Sequence, residues 1–141
     1  MSIPNKQDWG KINKNDLDAK YAYKNFYGIS TSQAYKLFID DALFYQEDLL
    51  SMPSIPFNYY ASIFADYIIS QNAKEDSDGG SSYLHMIIEM LTSFKHLLST
   101  KTREKLLKNA KLVANQQSYY DADKSIYGDF LDSYKQITRL S

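Results

Sequence analysis

Residues 30–49 read STSQAYKLFIDDALFYQEDL, and this stretch decides the fold. Ser30 and Gln33 fit the capping-box pattern, in which the two side chains satisfy free backbone donors at a helix start. Behind them Tyr35, Phe38, Ala42, Tyr45 and Leu49 recur at spacings of three, four, three and four, the periodicity of a helix with one apolar stripe. Pro53 stops the helix near Met52, because proline disfavours the helical conformation in the residue before it.

The same signals extend in both directions. Upstream, 15–27 fits a short helix with Asn15 as cap, Asp16 and Asp18 at its positive end and Gly28 closing it. Residues 1–14 form an irregular lead-in pinned by Trp9. Downstream, Pro56 suits the first turn of a helix over 57–71, with Tyr60, Ile63, Phe64, Tyr67 and Ile68 on one broad face. A polar loop is expected over 72–81, with Gly79-Gly80 as the clearest break in the chain. Three helices follow. The first, over 82–98, has Leu84, Ile87, Ile88, Leu91, Phe94 and Leu98 inward. The second, over 101–117, buries Leu106, Leu107, Ala110, Val113 and Ala114. The third, over 122–139, aligns Ile126, Tyr127, Phe130, Leu131, Tyr134 and Ile137, with Gly128 costing it about 1 kcal/mol relative to alanine. No segment alternates with a period of two. The expected fold is all-α: a single domain over 1–141, built as an antiparallel bundle of about six helices.

Composition narrows the function classes. A chain of 141 residues can bury one core unaided. Aromatic residues at 15% argue against disorder. Tyrosine is the outlier, with 13 copies against one tryptophan, and tyrosine collects at core rims and interfaces because its ring is apolar and its hydroxyl needs a partner. The absence of cysteine excludes a disulfide framework, a thiol nucleophile and a cysteine zinc site. No apolar run approaches the roughly 20 residues of a membrane span, and the N-terminus has no hydrophobic signal region. The expected location is the cytoplasm, with no membrane association. Net charge is -1, so bulk binding to nucleic acid is not implied. The charge is nevertheless unevenly spread. Residues 36–78 hold eight acids against two lysines, whereas 95–111 hold six bases against one acid.

On a helical wheel Asp40, Asp41, Glu47 and Asp48 fall opposite the apolar stripe, with Leu37 and Phe44 among them. Two readings stand. One is a solvated charged face. The other is a binding face with Phe44 as anchor and the carboxylates as charge complement for a basic partner. Tyr60 fits the inward stripe of the next helix, so Tyr59 is the expected exposed member of the Tyr59-Tyr60 pair. Glu75, Asp76 and Asp78 would form the rim. They do not make a calcium loop, since setting Gly79 at position six puts Lys74 at one and His85 at twelve. His85, Glu89 and His96 share a helical side, but about 16 Å of helix separates the two histidines, too far to share one metal ion. Nothing supplies a nucleophile, a phosphate-cradling glycine loop or a cofactor motif.

With those residues in view, Asp16-Leu17-Asp18-Ala19-Lys20-Tyr21-Ala22-Tyr23-Lys24-Asn25-Phe26-Tyr27-Gly28 resembles the opening of small bacterial proteins found beside polymorphic toxins. Ala42-Leu43-Phe44-Tyr45-Gln46-Glu47-Asp48-Leu49 resembles them too, as do Met52-Pro53, Pro56-Phe57 and Tyr59-Tyr60. The chain looks like an immunity protein of a contact-dependent growth inhibition system over roughly residues 15–80. That resemblance implies a cytoplasmic antitoxin, not an enzyme. It would need no cofactor, and its partner would be the C-terminal toxin domain of a neighbouring cell's surface protein, a nuclease in many such systems. Two rivals stand beside it: an adaptor that meets an acidic partner through the basic 101–111 face, and a small helical enzyme that uses carboxylates.

Overall fold

Caps set where the helices begin. In the computed structural model, which describes residues 2–141, Asp16 accepts from the Ala19 N–H and starts α2 (Leu17–Phe26). Ser30 and Gln33 form the expected capping box at the start of α3 (Thr31–Leu49). Ser99 accepts from the Thr102 N–H at the start of α6 (Thr100–Ala114). An unexpected one-turn helix, α1 (Lys6–Trp9), occupies the lead-in, capped by Asn5 and Asp8 in reciprocal hydrogen bonds. It buries Trp9 against the body, so 1–14 is not irregular throughout.

The fold is an all-α bundle, and six of its helices have ten residues or more. Its axis is α4 (Ser54–Ile68), which packs against α1, α3, α5 (Ser77–Ser93) and α6. That position explains a correction. Tyr59 was expected at the surface, but α4 is covered on nearly all sides and Tyr59 is only 8% exposed. Its ring meets Tyr60 edge-on, and its hydroxyl lies 2.9 Å from Thr31 Oγ1.

The expected loop 72–81 is half helix. A short 3₁₀ turn (Gln71–Ala73) leads to α5 (Ser77–Ser93), which Asp76 caps by accepting from the Gly79 N–H. Gly79 and Gly80 are buried in its first turns, and they are glycines for reasons of space. A Cβ at Gly79 would collide with the Asp76 carboxylate, and one at Gly80 would stand 3.0 Å from the Tyr120 ring. Glycine here admits neighbours rather than breaking the helix. At its other end α5 stops at Ser93 rather than running to 98.

The expected last helix is two: α7 (Lys124–Tyr127) and α8 (Phe130–Leu140). Gly128, at φ +75°, ends the first, and Asp129 caps the second. Gln117 holds the corner. Its amide nitrogen donates to the carbonyls of Ala122 and Gly128, and its oxygen accepts from the Phe130 N–H. The break turns Ile126 outward, 74% exposed, and leaves Leu131 exposed as well, against the expected inward alignment.

Most of the core tyrosines tie helices together through their hydroxyls. Tyr60 donates to Ile29 O, Tyr83 to Leu106 O and Tyr120 to Ile68 O, at 3.0, 2.9 and 2.6 Å. Burial pushes the Tyr60 phenol up to about 12 and raises Tyr83 and Tyr120 as well, so all three remain protonated donors at neutral pH.

Candidate functional site

The acids that share one half of an ideal wheel do not share one site. Asp41 leaves the helical conformation, at φ -163° and ψ 86°, and its carboxylate accepts from the Phe44 N–H at 3.1 Å. It therefore acts as an internal cap, stopping one half of α3 and starting the next. The two halves carry their acids to different clefts.

The first cleft, about 560 Å³, lies between α2 and the second half of α3. Asp18, Tyr21 and Asn25 line it from α2, and Phe44, Glu47 and Asp48 from α3. Phe44 is 57% exposed and Tyr21 56%, although both are aromatic. Phe44 stands edge-on to Tyr45, with ring centroids 5.0 Å apart, and Tyr45 in turn packs on buried Phe26. Its base is thereby fixed while much of its surface faces solvent. Asn25 Nδ2 donates to Asp48 Oδ2 at 2.8 Å and orients that carboxylate. Partial burial pushes the Asp48 carboxyl up, and the charges of Glu47 and Asp18 add to the rise against the lowering effect of the Asn25 bond. Three like charges beside two exposed rings cost the folded protein something, and a cation set among them would reverse that cost.

The second cleft, about 270 Å³, is lined by Asp40 and Asp41 of α3 and by Glu75, Asp76 and Asp78 near the start of α5. Five candidate acids do converge there, yet three of them hold the fold. Asp41 caps the second half of α3. Asp76 caps α5 and accepts from the Tyr67 hydroxyl at 2.7 Å. Asp78 accepts from the Tyr127 hydroxyl at 2.7 Å and links α5 to α7. Asp40 and Glu75 are exposed. Among the described residues no three of His, Cys, Asp or Glu are grouped as ligands for one metal ion.

Of the nine candidates, Phe44, Glu47 and Asp48 are thus together, Asp40, Asp41, Glu75, Asp76 and Asp78 are together elsewhere, and Tyr59 belongs to the core. Asp18 and Tyr21 were missed as site residues. The signal was the pair Leu17 and Tyr21, four residues apart on α2, whose outward direction becomes clear only once Ala22 and Phe26 are seen to be buried.

The basic face is less free than its composition suggests. Lys105 pairs with Asp66 at 2.8 Å and donates to Ser62 Oγ at 2.7 Å, although Lys101, Lys108 and Lys111 are exposed. Among the described residues no helix is long and apolar enough to cross a membrane. Comparison of the chain with protein-family models, with curated proteins and with solved structures finds no match.

Proposed function

We propose that this protein is an immunity protein that binds and neutralises a cognate toxin domain, and that the cleft between α2 and the second half of α3 is its contact face. The observation that carries the reading is the pairing of exposed Phe44 and Tyr21 with Asp18, Glu47 and Asp48 in one cleft. Aromatic anchors ringed by polar groups dominate the energetics of protein interfaces. A cluster of like charge speeds encounter with a partner of opposite charge. Nucleases carry basic substrate grooves, and carboxylates compete for the same arginines and lysines that grip phosphate. Inhibition of this kind is occlusion. It requires no cofactor and no bond making. The resemblance of residues 15–80 to immunity proteins supports the same role, and a cytoplasmic location would follow from it.

The enzyme alternative gains little from the second cleft, because Asp41, Asp76 and Asp78 there are committed to caps and tyrosine hydroxyls. The adaptor alternative is weakened by the internal pairing of Lys105. The test is whether a neighbouring gene encodes a protein ending in a toxic domain, whether that domain co-purifies with this protein, and whether this protein rescues growth of cells that express it. Glu47→Lys should abolish both capture and rescue while Lys108→Glu leaves them intact. The reverse pattern would sink the assignment of the face.

A further inference from the structure

We propose that copies of this chain associate head to tail, the basic stripe of α6 on one copy seating against the acidic α2–α3 cleft of the next. This pairing goes beyond the antitoxin role and stands without it, because the partner is the protein itself.

The stripe is a surface that the cleft leaves unused. On α6, Lys101, Lys108, Lys111 and Leu112 are exposed and fall on one side of the helix at 100° per residue. Leu112 is 42% exposed and stands one turn on from Lys108. Lys105 is tied to Asp66 and Ser62, whereas Lys101, Lys108 and Lys111 make no ion pair among the described residues. Glu104 is exposed on the same side, so three lysines there stand against one acid.

The two faces are complementary in charge and in apolar content. Cations surround an aliphatic side chain on α6, and in the cleft Asp18, Glu47 and Asp48 surround Phe44 and Tyr21. The three cleft acids also make no ion pair among the described residues. Lysine stems cover apolar surface while their heads reach carboxylates, and an ammonium over an aromatic face is itself attracted to it.

Placement makes the pairing intermolecular. α6 runs alongside α4 in the same direction: Asn58 accepts from the Ser99 N–H, Lys105 donates to Ser62 Oγ, and Asn109 donates to Ala65 O. Lys108 and Lys111 therefore lie level with the end of α4. Residues 44–48 lie toward its start, since α3 hands over to α4 through residues 50–53. The eleven residues from Ser54 to Ala65 separate the two levels by about 16 Å at 1.5 Å per residue. One copy cannot lay its own stripe in its own cleft. A contact between unlike faces leaves one of each free on every pair, so assembly continues past the dimer.

The experiment is sedimentation velocity of the full chain over a range of concentrations at low salt and at about 1 M sodium chloride, where charges are screened within about 3 Å. The sedimentation coefficient should rise with concentration at low salt and return to the monomer value at high salt. Asp18→Lys/Glu47→Lys and Lys108→Glu/Lys111→Glu, all at exposed positions, should each weaken association about tenfold or more, because like charges then face each other. Mixing the two variants should restore association, since each supplies the face that the other has reversed. A parent that stays monomeric at every concentration, association that persists at high salt, or a mixture that stays monomeric would overturn the proposal. The antitoxin role is read separately. Lys108→Glu/Lys111→Glu should lose self-association and still capture a cognate toxin domain, so either activity can fail without the other.

Discussion

The core around α4 and the groove beside α3 are both rich in aromatic rings, and they treat them in opposite ways. In the core the tyrosine rings are buried and their hydroxyls are matched: Tyr60, Tyr83 and Tyr120 donate to the carbonyls of Ile29, Leu106 and Ile68. In the groove Tyr21 and Phe44 are more than half exposed, and the nearby carboxylates crowd one another. The first arrangement lowers the free energy of the isolated chain. The second leaves rings and carboxylates facing solvent, which is what the proposed contact face requires. The difference teaches that aromatic content alone says little about function. What informs is whether the polar company of each ring is satisfied.

The contrast can be broken most sharply at Tyr83. Tyr83→Ala should destabilise the fold by about 3–5 kcal/mol, because it empties a fully buried site and strips the Leu106 carbonyl of its donor. Denaturant titration would show it as a large drop in midpoint, and an unchanged midpoint would mean that the core description is wrong. Gly80→Ala is the next largest. A methyl group 3.0 Å from the Tyr120 ring should cost about 1–3 kcal/mol through overpacking, where the usual glycine-to-alanine change in a helix stabilises.

Asp48→Asn should act in the opposite direction. The folded-state pKa of Asp48 is raised, so the native protein holds this proton over a pH range in which the unfolded chain has released it. The unfavourable contribution is absent below the unfolded value, grows as pH rises through the folded value, and is complete at pH 7. Asparagine can still accept from Asn25, so thermal melts should place Asp48→Asn above the parent at pH 7, with the difference vanishing toward pH 3. A variant less stable than the parent at neutral pH would contradict the account of this carboxylate. The smallest stability effect belongs to Phe44→Ala, within about 0.5 kcal/mol because the ring is mostly in solvent. Under the proposed role the same change should cost about 2 kcal/mol or more in affinity for a cognate toxin domain, measured by calorimetry.

The helices were legible because their signals are local. Ser30 and Gln33 announce a start, and the stripe from Tyr35 to Leu49 repeats at a helical period. The errors share one cause, which is that the same residue does different work depending on what lies across from it. Gly79-Gly80 reads as a turn until the Tyr120 ring is found against it. Tyr59 reads as exposed only if α4 has one covered face, and it is covered on nearly all sides. Asp41 reads as one more surface acid, although its short side chain caps a restart of the helix. In the groove, exposure of Phe44 follows from the wheel. Tyr21 was invisible because Leu17 and Tyr21 are as apolar as the Ala22 and Phe26 face that is actually buried.

The interruption at Asp41 has a consequence for how such a surface can change over generations. An unbroken helix is a rigid ruler, and a residue gained or lost anywhere along it rotates everything beyond by about 100°. A restart resets that ruler. Residues 42–49 take their angular phase from the Asp41 cap, so the exposed positions Phe44 and Glu47 can change without turning Ala34 and Phe38 away from α4, whereas Ala42, Gln46 and Leu49 stay buried. The side chain that divides the acids between two clefts thus uncouples the phase of one half of the helix from that of the other.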